Sequence, residues 1–365
     1  MRRALRLAAL GREAAPNPMV GCVLTDASGR KVGEGWHVRP GEPHAEVNAL
    51  RQAGDAARGG TAYVTLEPCS HFGRTPPCAD ALIAAGIARV VVAMTDPDRR
   101  VSGRGIERLR AAGIEVEVGL CEERARALNA AYIKHRETGL PYVTLKCAMT
   151  LDGRIAAVSG DSRWITSPAT RLWVHRQLRA RNQAVLAGVG TVLADDPALN
   201  VRLNHKRARQ PLRVVIDSAL RTPLGAQVVR VASRDGLTLI AYADASEDRI
   251  EALAAAGVRL ARCPDLSGAR VDLARVMQVL GTQEGVASVV VEGGGQIAAS
   301  LLELGLVDRY IACLGPKLVG GADAPGPVGG AGLARKMSDA PRAQIVSMRR
   351  SGADVVLDCR LATVV

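Results

Sequence analysis

Pro43-His44-Ala45-Glu46, followed by Glu67-Pro68-Cys69 and then by Cys78, is the stretch that decides the fold of the first part of this 365-residue chain. It supplies one imidazole, two thiols and a carboxylate that need not bind a metal. Three nitrogen and sulfur ligands leave one position on Zn²⁺ open, which is typical of a catalytic zinc site. The pattern therefore predicts that His44, Cys69 and Cys78 bind zinc.

The pairing of His-x-Glu with Pro-Cys is the signature of hydrolytic base deaminases, in which zinc activates a water molecule. Glu46 is then the predicted proton shuttle, because a nearby carboxylate can move the proton of that water to the substrate. Pro43 indicates the start of a helix, and His44 and Glu46 can face one metal only if both lie in its first turn. The eight residues between the cysteines depart from the usual C-x-x-C spacing.

Simpler interpretations of these residues stay open. A structural zinc site would need a fourth ligand, for which His71 is the candidate, but that arrangement leaves Glu46 without a role. A lone histidine or cysteine is usually an ordinary surface or core residue. Only the combination of residues favours a catalytic site.

The composition favours a two-domain protein that binds small anions. The chain is longer than one core usually serves. Its net charge of +12 suits anionic ligands, whereas an aromatic content of 2% leaves few stacking platforms for nucleic acid. Phosphorylated small molecules are therefore favoured, and no nucleic acid is expected. Eight scattered cysteines fit a reducing compartment, and without a signal sequence or membrane-spanning run we expect a cytoplasmic protein that binds no membrane.

Apolar runs and turn signals predict two α/β domains, over residues 1–140 and 141–365, because strands alternate with helices in both. The elements predicted for the first domain are a hairpin over 20–38, the helix that carries His44, strands 61–66 and 89–94, helix 78–85, a helix-strand unit over 103–118 and helix 122–137. Those predicted for the second are strands 142–149, 183–187, 212–217, 237–242, 287–292, 309–314 and 355–361, helices 168–180, 247–256, 271–281 and 295–304, and a loop over 320–332.

The second domain contains a glycine-rich turn, Glu292-Gly293-Gly294-Gly295-Gln296, between a strand and a helix. Such glycines let the backbone approach a phosphate at a helix N-terminus, although a tight turn without a ligand fits equally well. Asp152-Gly153 is most simply a hairpin turn, and residues 191–197 fit an ordinary loop. Ser167 is a predicted helix cap, with Pro168 at the first helical position.

Taken together, these stretches resemble the bifunctional riboflavin biosynthesis deaminase/reductase family over nearly the whole chain. The matching stretches of the first domain are Pro16 to Val23, Gly41 to Glu46 and Glu67 to Cys78. Those of the second are Leu145-Lys146, Leu151 to Arg154, Trp164 to Ser167, Thr191 to Arg202 and Val291 to Gly294. The eight-residue cysteine spacing is similar to this family's own pattern.

The resemblance implies a fold and two consecutive reactions. It implies an N-terminal cytidine-deaminase-like three-layer domain and a C-terminal dihydrofolate-reductase-like α/β domain. The first would use Zn²⁺ to deaminate 2,5-diamino-6-(5-phosphoribosylamino)pyrimidin-4-one, a phosphorylated pyrimidine nucleotide. The second would reduce the ribosyl group to a ribityl chain with NADPH. We also expect a homo-oligomer, either a dimer or a tetramer.

The resemblance further implies a set of site residues. His44, Cys69 and Cys78 match the zinc ligands, Glu46 matches the proton shuttle, and Asn17, His37 and His71 are candidate contacts to the pyrimidine or its phosphate. The positions that match NADPH-binding residues are Ala148, Trp164, Thr191, Asp195, Ser218, Gly294, Gly295, Gln296, Ile297, Ala298, Ala299 and Ser300. The positions that match reductase substrate contacts are Ser162, Arg179, Leu199, Arg202 and Glu292.

Two other functions stay open at this point. A nucleic-acid deaminase would share the zinc chemistry, but the second α/β domain and the scarce aromatic residues count against it. A non-catalytic regulator would bind metal and nucleotide without turnover, which gives Glu46 no purpose.

Overall fold

The computed structural model describes residues 1–72, 76–99, 101–203 and 209–361. The chain divides into two compact units, Met1–Gly139 and Leu140–Val365. Gly73, Arg74 and Thr75 of the cysteine-containing motif lie outside the described residues. None of the helices in the described ranges is long and apolar enough to cross a bilayer.

The first unit is built on a five-stranded sheet with the order β2-β1-β3-β4-β5. Its strands are β1 (Gly21–Thr25), β2 (Lys31–Trp36), β3 (Thr61–Val64), β4 (Arg89–Val92) and β5 (Glu115–Val118). Its helices are α1 (Arg2–Ala8), α2 (Ala45–Ala53), α3 (Cys78–Ala84), α4 (Arg104–Ala111), α5 (Glu122–Leu128) and α6 (Ala130–Thr138). β1 is antiparallel to both of its neighbours, and the pairings of β3 with β4 and of β4 with β5 are parallel.

Helix α2 lies directly on strand β2 because two glycines of that strand have no side chains. A Cβ atom at Gly33 would lie 2.3 Å from the carbonyl oxygen of Ala49, and one at Gly35 would lie 2.5 Å from that of Ala45. Backbone contact this close leaves no room for any side chain. The two glycines therefore fix the position of the helix that begins immediately after His44.

The second unit is built on a nine-stranded sheet with the order β10-β9-β8-β7-β11-β6-β12-β14-β13. Its strands are β6 (Tyr142–Thr150), β7 (Ala184–Gly188), β8 (Leu212–Ile216), β9 (Thr238–Tyr242), β10 (Arg259–Arg262), β11 (Ser288–Glu292), β12 (Arg309–Gly315), β13 (Ala343–Ser351) and β14 (Asp354–Leu361). Its helices are α7 (Pro168–Gln177), α8 (Val189–Asp195), α9 (Gln227–Asp235), α10 (Glu247–Ala255), α11 (Leu273–Gln278) and α12 (Gly295–Glu303).

The sheet of the second unit is parallel from β10 to β12 and ends in the antiparallel strands β14 and β13. One apolar cluster packs α11 and α12 on one face, and a second packs α7 to α10 on the other. The middle residues of the central strands β7, β9 and β11 are buried and apolar, as expected where helices cover both faces. The second unit is therefore a three-layer α/β structure.

Most predicted elements are present, and three predicted helices are either interrupted or shortened by more than one residue. Helix 122–137 is interrupted at Asn129, because the buried Asn129 amide bonds to the backbone of Met19 at 2.8 and 3.0 Å. Helix 168–180 ends at Gln177 and is followed by a 3₁₀ turn, Arg179–Arg181. Helix 271–281 begins at Leu273, after the Asp272 cap, and ends at Gln278 with a π-helical turn after it.

Other differences concern elements that the sequence did not indicate. The loop predicted over 191–197 was wrong, because α8 occupies most of that range. Helix α9 and strands β10 and β13 were not predicted. The turn at Asp152-Gly153 is present, with the Gly153 N–H donating to the Thr150 oxygen at 3.0 Å, but no second strand completes a hairpin there.

Candidate active sites

Three side chains of the first unit converge as the sequence predicts. One ligand atom each from His44, Cys69 and Cys78 can be chosen so that all three lie within 4.8 Å of one another. The Nδ1 atom of His44 is 3.2 Å from the Cys78 Sγ and 3.6 Å from the Cys69 Sγ. Among the described residues this is the one group of three or more such side chains close enough to share an ion.

The local structure explains how these three residues meet. His44 is the N-cap of α2, Cys78 is the first residue of α3, and Cys69 lies in the loop after β3. The backbone N–H of Cys78 donates to the Cys69 Sγ at 3.3 Å, and the N–H of Ala79 donates to the Cys69 oxygen at 3.1 Å. Both contacts tie the Cys69 loop to the start of α3, where the helix dipole favours a thiolate.

The two thiols are prepared for metal binding by sharing one proton. A hydrogen bond from the Cys78 thiol lowers the pKa of Cys69, whereas the same contact and burial raise the pKa of Cys78. Cys69 is therefore the thiol that ionises first, and a bound cation would displace the second proton. Two thiolates and one imidazole fit Zn²⁺ and leave its fourth position open.

Glu46 lies in the first turn of α2, as predicted, and its side chain is buried. Burial, followed by the nearby Cys69, raises the pKa of Glu46 to about 7. A carboxyl group with a pKa near neutrality can both accept and return a proton at physiological pH. These properties are those of a general acid/base.

A cavity of about 480 Å³ opens beside these residues. Asn17, His37 and His71, which the sequence marked as substrate contacts, all line it together with Glu46. The sequence did not single out four other charged or polar residues of its wall, which are Asp96, Asp98, Tyr132 and Arg136.

His37 and Asn17 form one hydrogen-bonded unit in the cavity wall. The Nδ1 atom of His37 lies 3.4 Å from the carbonyl oxygen of Pro43, and its Nε2 atom lies 3.1 Å from the Nδ2 of Asn17. A carbonyl oxygen can only accept, so Nδ1 carries the proton and Nε2 accepts from Asn17. Burial lowers the pKa of His37, which keeps this arrangement neutral.

Asp96 and Tyr132 form a second hydrogen-bonded unit of the same wall. The Tyr132 hydroxyl donates to the Asp96 Oδ1 at 3.0 Å, and the backbone N–H of Asp98 donates to the same atom at 2.9 Å. Burial raises the pKa of Asp96. The loop position of Asp96 after β4 carried no signal in the sequence, because its role depends on Tyr132, which lies far along the chain.

In the second unit, a buried ion pair lies at the end of β11. Arg179 donates from Nε and Nη2 to the two oxygens of Glu292 at 2.6 and 2.9 Å, and from Nη1 to the oxygen of Asn200 at 3.0 Å. Lys146 Nζ is 4.0 Å from Glu292. Although burial opposes ionisation, Arg179 lowers the pKa of Glu292 to about 2. Both residues were predicted as substrate contacts, and the structure brings them together.

Leu199 precedes Asn200, whose oxygen Arg179 contacts, and the backbone of Arg202 is bonded to a histidine that the sequence did not mark. The backbone N–H of Arg202 donates to the Nδ1 of His175 at 3.2 Å. Burial, followed by Arg179 and Arg202, lowers the pKa of His175 to about 4. His175 is therefore neutral, with Nδ1 as acceptor and the proton on Nε2. Leu199 is buried and has a positive φ of 46°.

Four of the predicted cofactor residues lie at or near the carboxyl ends of four adjacent strands. Ala148 is near the end of β6, Ser218 follows β8, Thr191 follows β7 and Gly294 follows β11. These strands are neighbours in the order β8-β7-β11-β6. The carboxyl ends of parallel strands form the usual ligand crevice of an α/β sheet.

Two close contacts connect the segments around that crevice. A Cβ atom at Gly293, which has a φ of +86°, would lie 2.7 Å from the Thr191 Oγ1, so the glycine-rich turn touches α8. Arg163 donates to the backbone oxygen of Asp195 at 3.0 Å, which connects the segment containing Ser162 and Trp164 to the end of α8. The N-terminus of α12 begins at Gly295, immediately after the turn, with Gln296, Ile297, Ala298, Ala299 and Ser300 in that helix.

Comparison with known proteins gives matches to both units. The family model described as the RibD C-terminal domain matches residues 141–357. The model described as the cytidine and deoxycytidylate deaminase zinc-binding region matches residues 1–94.

Individual relatives match over nearly the whole length. The riboflavin biosynthesis protein RibD of Escherichia coli is 48% identical over 98% of this chain and 97% of its own. The structure of Acinetobacter baumannii RibD has a TM-score of 0.87 and 39% identity, covering 99% of this chain and 97% of that one. A Thermotoga maritima diaminohydroxyphosphoribosylaminopyrimidine deaminase/5-amino-6-(5-phosphoribosylamino)uracil reductase has a TM-score of 0.83 and 34% identity, with the same coverage.

Proposed function

Because the chain belongs to the RibD family, bifunctional deaminases and reductases of riboflavin biosynthesis, we propose how its residues divide the two reactions. Residues 1–140 deaminate 2,5-diamino-6-(5-phosphoribosylamino)pyrimidin-4-one, and residues 141–365 reduce the ribosyl group of the product with NADPH. The observation that carries the first assignment is the convergence of His44, Cys69 and Cys78 beside the buried Glu46.

In the first reaction, His44, Cys69 and Cys78 hold Zn²⁺, which supplies an activated water when bound. Glu46 would pass one proton of the attacking water to the ring nitrogen, and would then carry the second proton, from the added hydroxyl group, to the leaving amine. The carbon–nitrogen bond breaks, a carbon–oxygen bond replaces it, and ammonia leaves. Asn17, His37 and His71 contact the substrate in the cavity.

In the second reaction, a phosphorylated substrate binds beside Glu292 and the two cations near it, Arg179 and Lys146. Arg202 faces the substrate phosphate, while Arg179 keeps two N–H groups that its three hydrogen bonds do not use. The ionised Glu292 orients the ribosyl hydroxyls. Ser162 and Leu199 are the other residues that contact the substrate. NADPH supplies hydride when bound, and the residues that would hold it are Ala148, Trp164, Thr191, Asp195, Ser218 and residues 294–300.

Glu46→Gln tests the deaminase assignment. The variant keeps the size of the side chain but cannot shuttle a proton, so ammonia release should fall by at least about 100-fold, the typical worth of a general acid/base. Zinc should stay bound, as measured by metal analysis, because Glu46 is not among the three converging ligands.

Glu42→Gln is the matched control. Glu42 also lines the cavity, but its carboxylate pairs with Arg39 at 2.6 Å. Ammonia release should persist in this variant. Full activity of the Glu46→Gln protein would refute the shuttle role, and loss of its zinc would make Glu46 a ligand.

We also propose that two copies of the chain associate along β13, as a dimer or as half of a tetramer. Residues 343–350 of this edge strand are all exposed, including Ile345, Val346 and Met348. An edge strand of nine residues with apolar side chains is a ready surface for pairing with a second copy, and a symmetric pair satisfies its backbone groups. The eight free cysteines support a site of action in the reducing cytoplasm.

A further inference from the structure

One buried carboxylate of the first unit has no part in the chemistry described so far. Glu67 precedes Pro68 and Cys69, and its side chain is only 3% exposed. Its partners are four backbone N–H groups. Oε2 accepts from Asp96 at 3.2 Å and from Gly103 at 2.9 Å, and Oε1 accepts from Gly105 at 2.8 Å and from Ile106 at 3.4 Å.

All four donors belong to one segment, residues 96–99 and 101–106, which we call the wall segment. Asp96, Asp98 and Val101 of this segment line the deaminase cavity. The Glu67 carboxylate holds the segment at both ends, because Asp96 lies at its start and Ile106 near its end. Hydrogen bonds from N–H groups to an ionised acceptor are stronger than neutral ones.

A second contact joins the wall segment to the loop that contains Glu67, Pro68 and Cys69. A Cβ atom at Gly105 would lie 2.0 Å from the carbonyl oxygen of Pro68 and 3.2 Å from the Glu67 Oε1. The φ of Gly105 is not in the left-handed region, so its backbone conformation does not require a glycine. The lack of space beside Pro68 does require one. The wall segment therefore sits in direct backbone contact with the residue before Cys69.

We propose that Glu67 is a positioning residue that fixes the wall segment relative to the zinc-ligand loop, and thereby sets the affinity of the deaminase for its substrate. Glu67 does not hold the metal. The contacts of Cys69 with Cys78 and Ala79 anchor that ligand without it. Since the wall residues bind substrate before and during the reaction alike, their displacement weakens binding more than it slows the chemical step.

Glu67→Gln is the first test, and it rests on the deaminase function, so the unaltered protein is measured first. A glutamine keeps the volume but turns an NH₂ group toward two backbone donors. KM for the diaminopyrimidine nucleotide should rise about 10- to 100-fold, the size of effect typical when a residue that orients a site is lost. kcat should fall much less, zinc content should stay at one ion per chain, and NADPH oxidation by the second unit should not change.

Asp26→Asn is the matched control. Asp26 also accepts backbone N–H groups, from Ser28 at 3.0 Å and Arg30 at 2.9 Å, but it lies in an exposed turn away from the cavity. Its replacement should leave both kinetic constants unchanged.

Gly105→Ala is the second test, because it separates the same surfaces without changing the carboxylate. It should reproduce the KM effect, and the double variant should show less than the product of the two single effects, since both break one contact.

The outcomes separate the possible roles of Glu67. A lower melting temperature with unchanged KM in both variants would leave Glu67 a purely structural residue and overturn the proposal. Loss of zinc in Glu67→Gln would also overturn it, by making Glu67 part of the metal site. If the unaltered zinc-loaded protein released no ammonia, the deaminase function itself would fail, which is a different result.

Discussion

At the scale of single residues, two buried glutamates differ in charge because their neighbours differ. Glu46 has no cationic side chain bonded to it, and burial raises its pKa to about 7. Glu292 is equally enclosed, but Arg179 lowers its pKa to about 2. One carboxyl can therefore exchange a proton near neutral pH, while the other is a permanent anion. The first suits acid/base catalysis and the second suits the orientation of hydroxyl groups.

His175 should make stability depend on pH. Its pKa is about 4 in the folded chain and 6.5 in the reference state, so the unfolded chain binds the proton more tightly. The contribution to stability is present above pH 6.5 and is lost as the pH falls toward 4. His175→Asn should weaken this dependence, measured as the change in melting temperature between pH 7 and pH 4.5 for both proteins.

The same position offers a chemical control. The side-chain oxygen of asparagine can replace Nδ1 as the acceptor for the Arg202 N–H, whereas the longer glutamine places its oxygen elsewhere. His175→Asn should therefore keep KM of the reductase reaction within a few-fold of its original value, and His175→Gln should raise it further. Equal values for the two variants would contradict a positioning role for His175.

At the scale of elements, chemical signals at helix starts were predictable. The Ser167 cap is confirmed, since its Oγ accepts from the Thr170 N–H at 3.4 Å with Pro168 following. The placement of His44 and Glu46 at the start of α2 is also confirmed. β13 could not be predicted, because residues 343–350 are exposed on both faces and so show no alternation. The break at Asn129 depends on Met19, which no local pattern reveals.

β13 should control association if two copies pair along it. Ile345→Lys with Met348→Lys places charges on the edge strand, which should halve the mass of the oligomer in light scattering. Leu266→Lys is the matched control, because Leu266 is the most exposed large apolar side chain among the described residues of the same unit, yet it lies far from β13 in sequence and off the sheet. An unchanged mass for the double variant would refute pairing through this strand.

At the scale of the whole molecule, the predicted architecture is confirmed. The chain combines a cytidine-deaminase-like unit with a reductase unit of the dihydrofolate-reductase-like fold. The family was predictable because its motifs are local in sequence. The full cavity wall was not, since Asp96 lies in the loop after β4 whereas Tyr132 and Arg136 lie on α6, and these two segments meet only on folding.

Metal removal should separate the two activities. The described apolar clusters of the deaminase unit contain only residues before 140, and those of the reductase unit only later ones. Chelation should therefore abolish ammonia release, while NADPH oxidation with the deaminated nucleotide continues. Restoring Zn²⁺ should restore ammonia release, and a parallel loss of NADPH oxidation on chelation would contradict this independence.

The central position of β6 has a consequence for synthesis on the ribosome. β6 is the first strand of its sheet to be synthesised. Its two partners, β11 and β12, are synthesised after all the other strands except β13 and β14. At ~5–20 residues per second, translation leaves β6 without partners for on the order of ten seconds. The deaminase unit can finish folding during that interval, whereas the reductase sheet must wait for residues after 287. A ribosome that stalls before that point would expose an unpaired apolar strand, the form of nascent chain that chaperones bind.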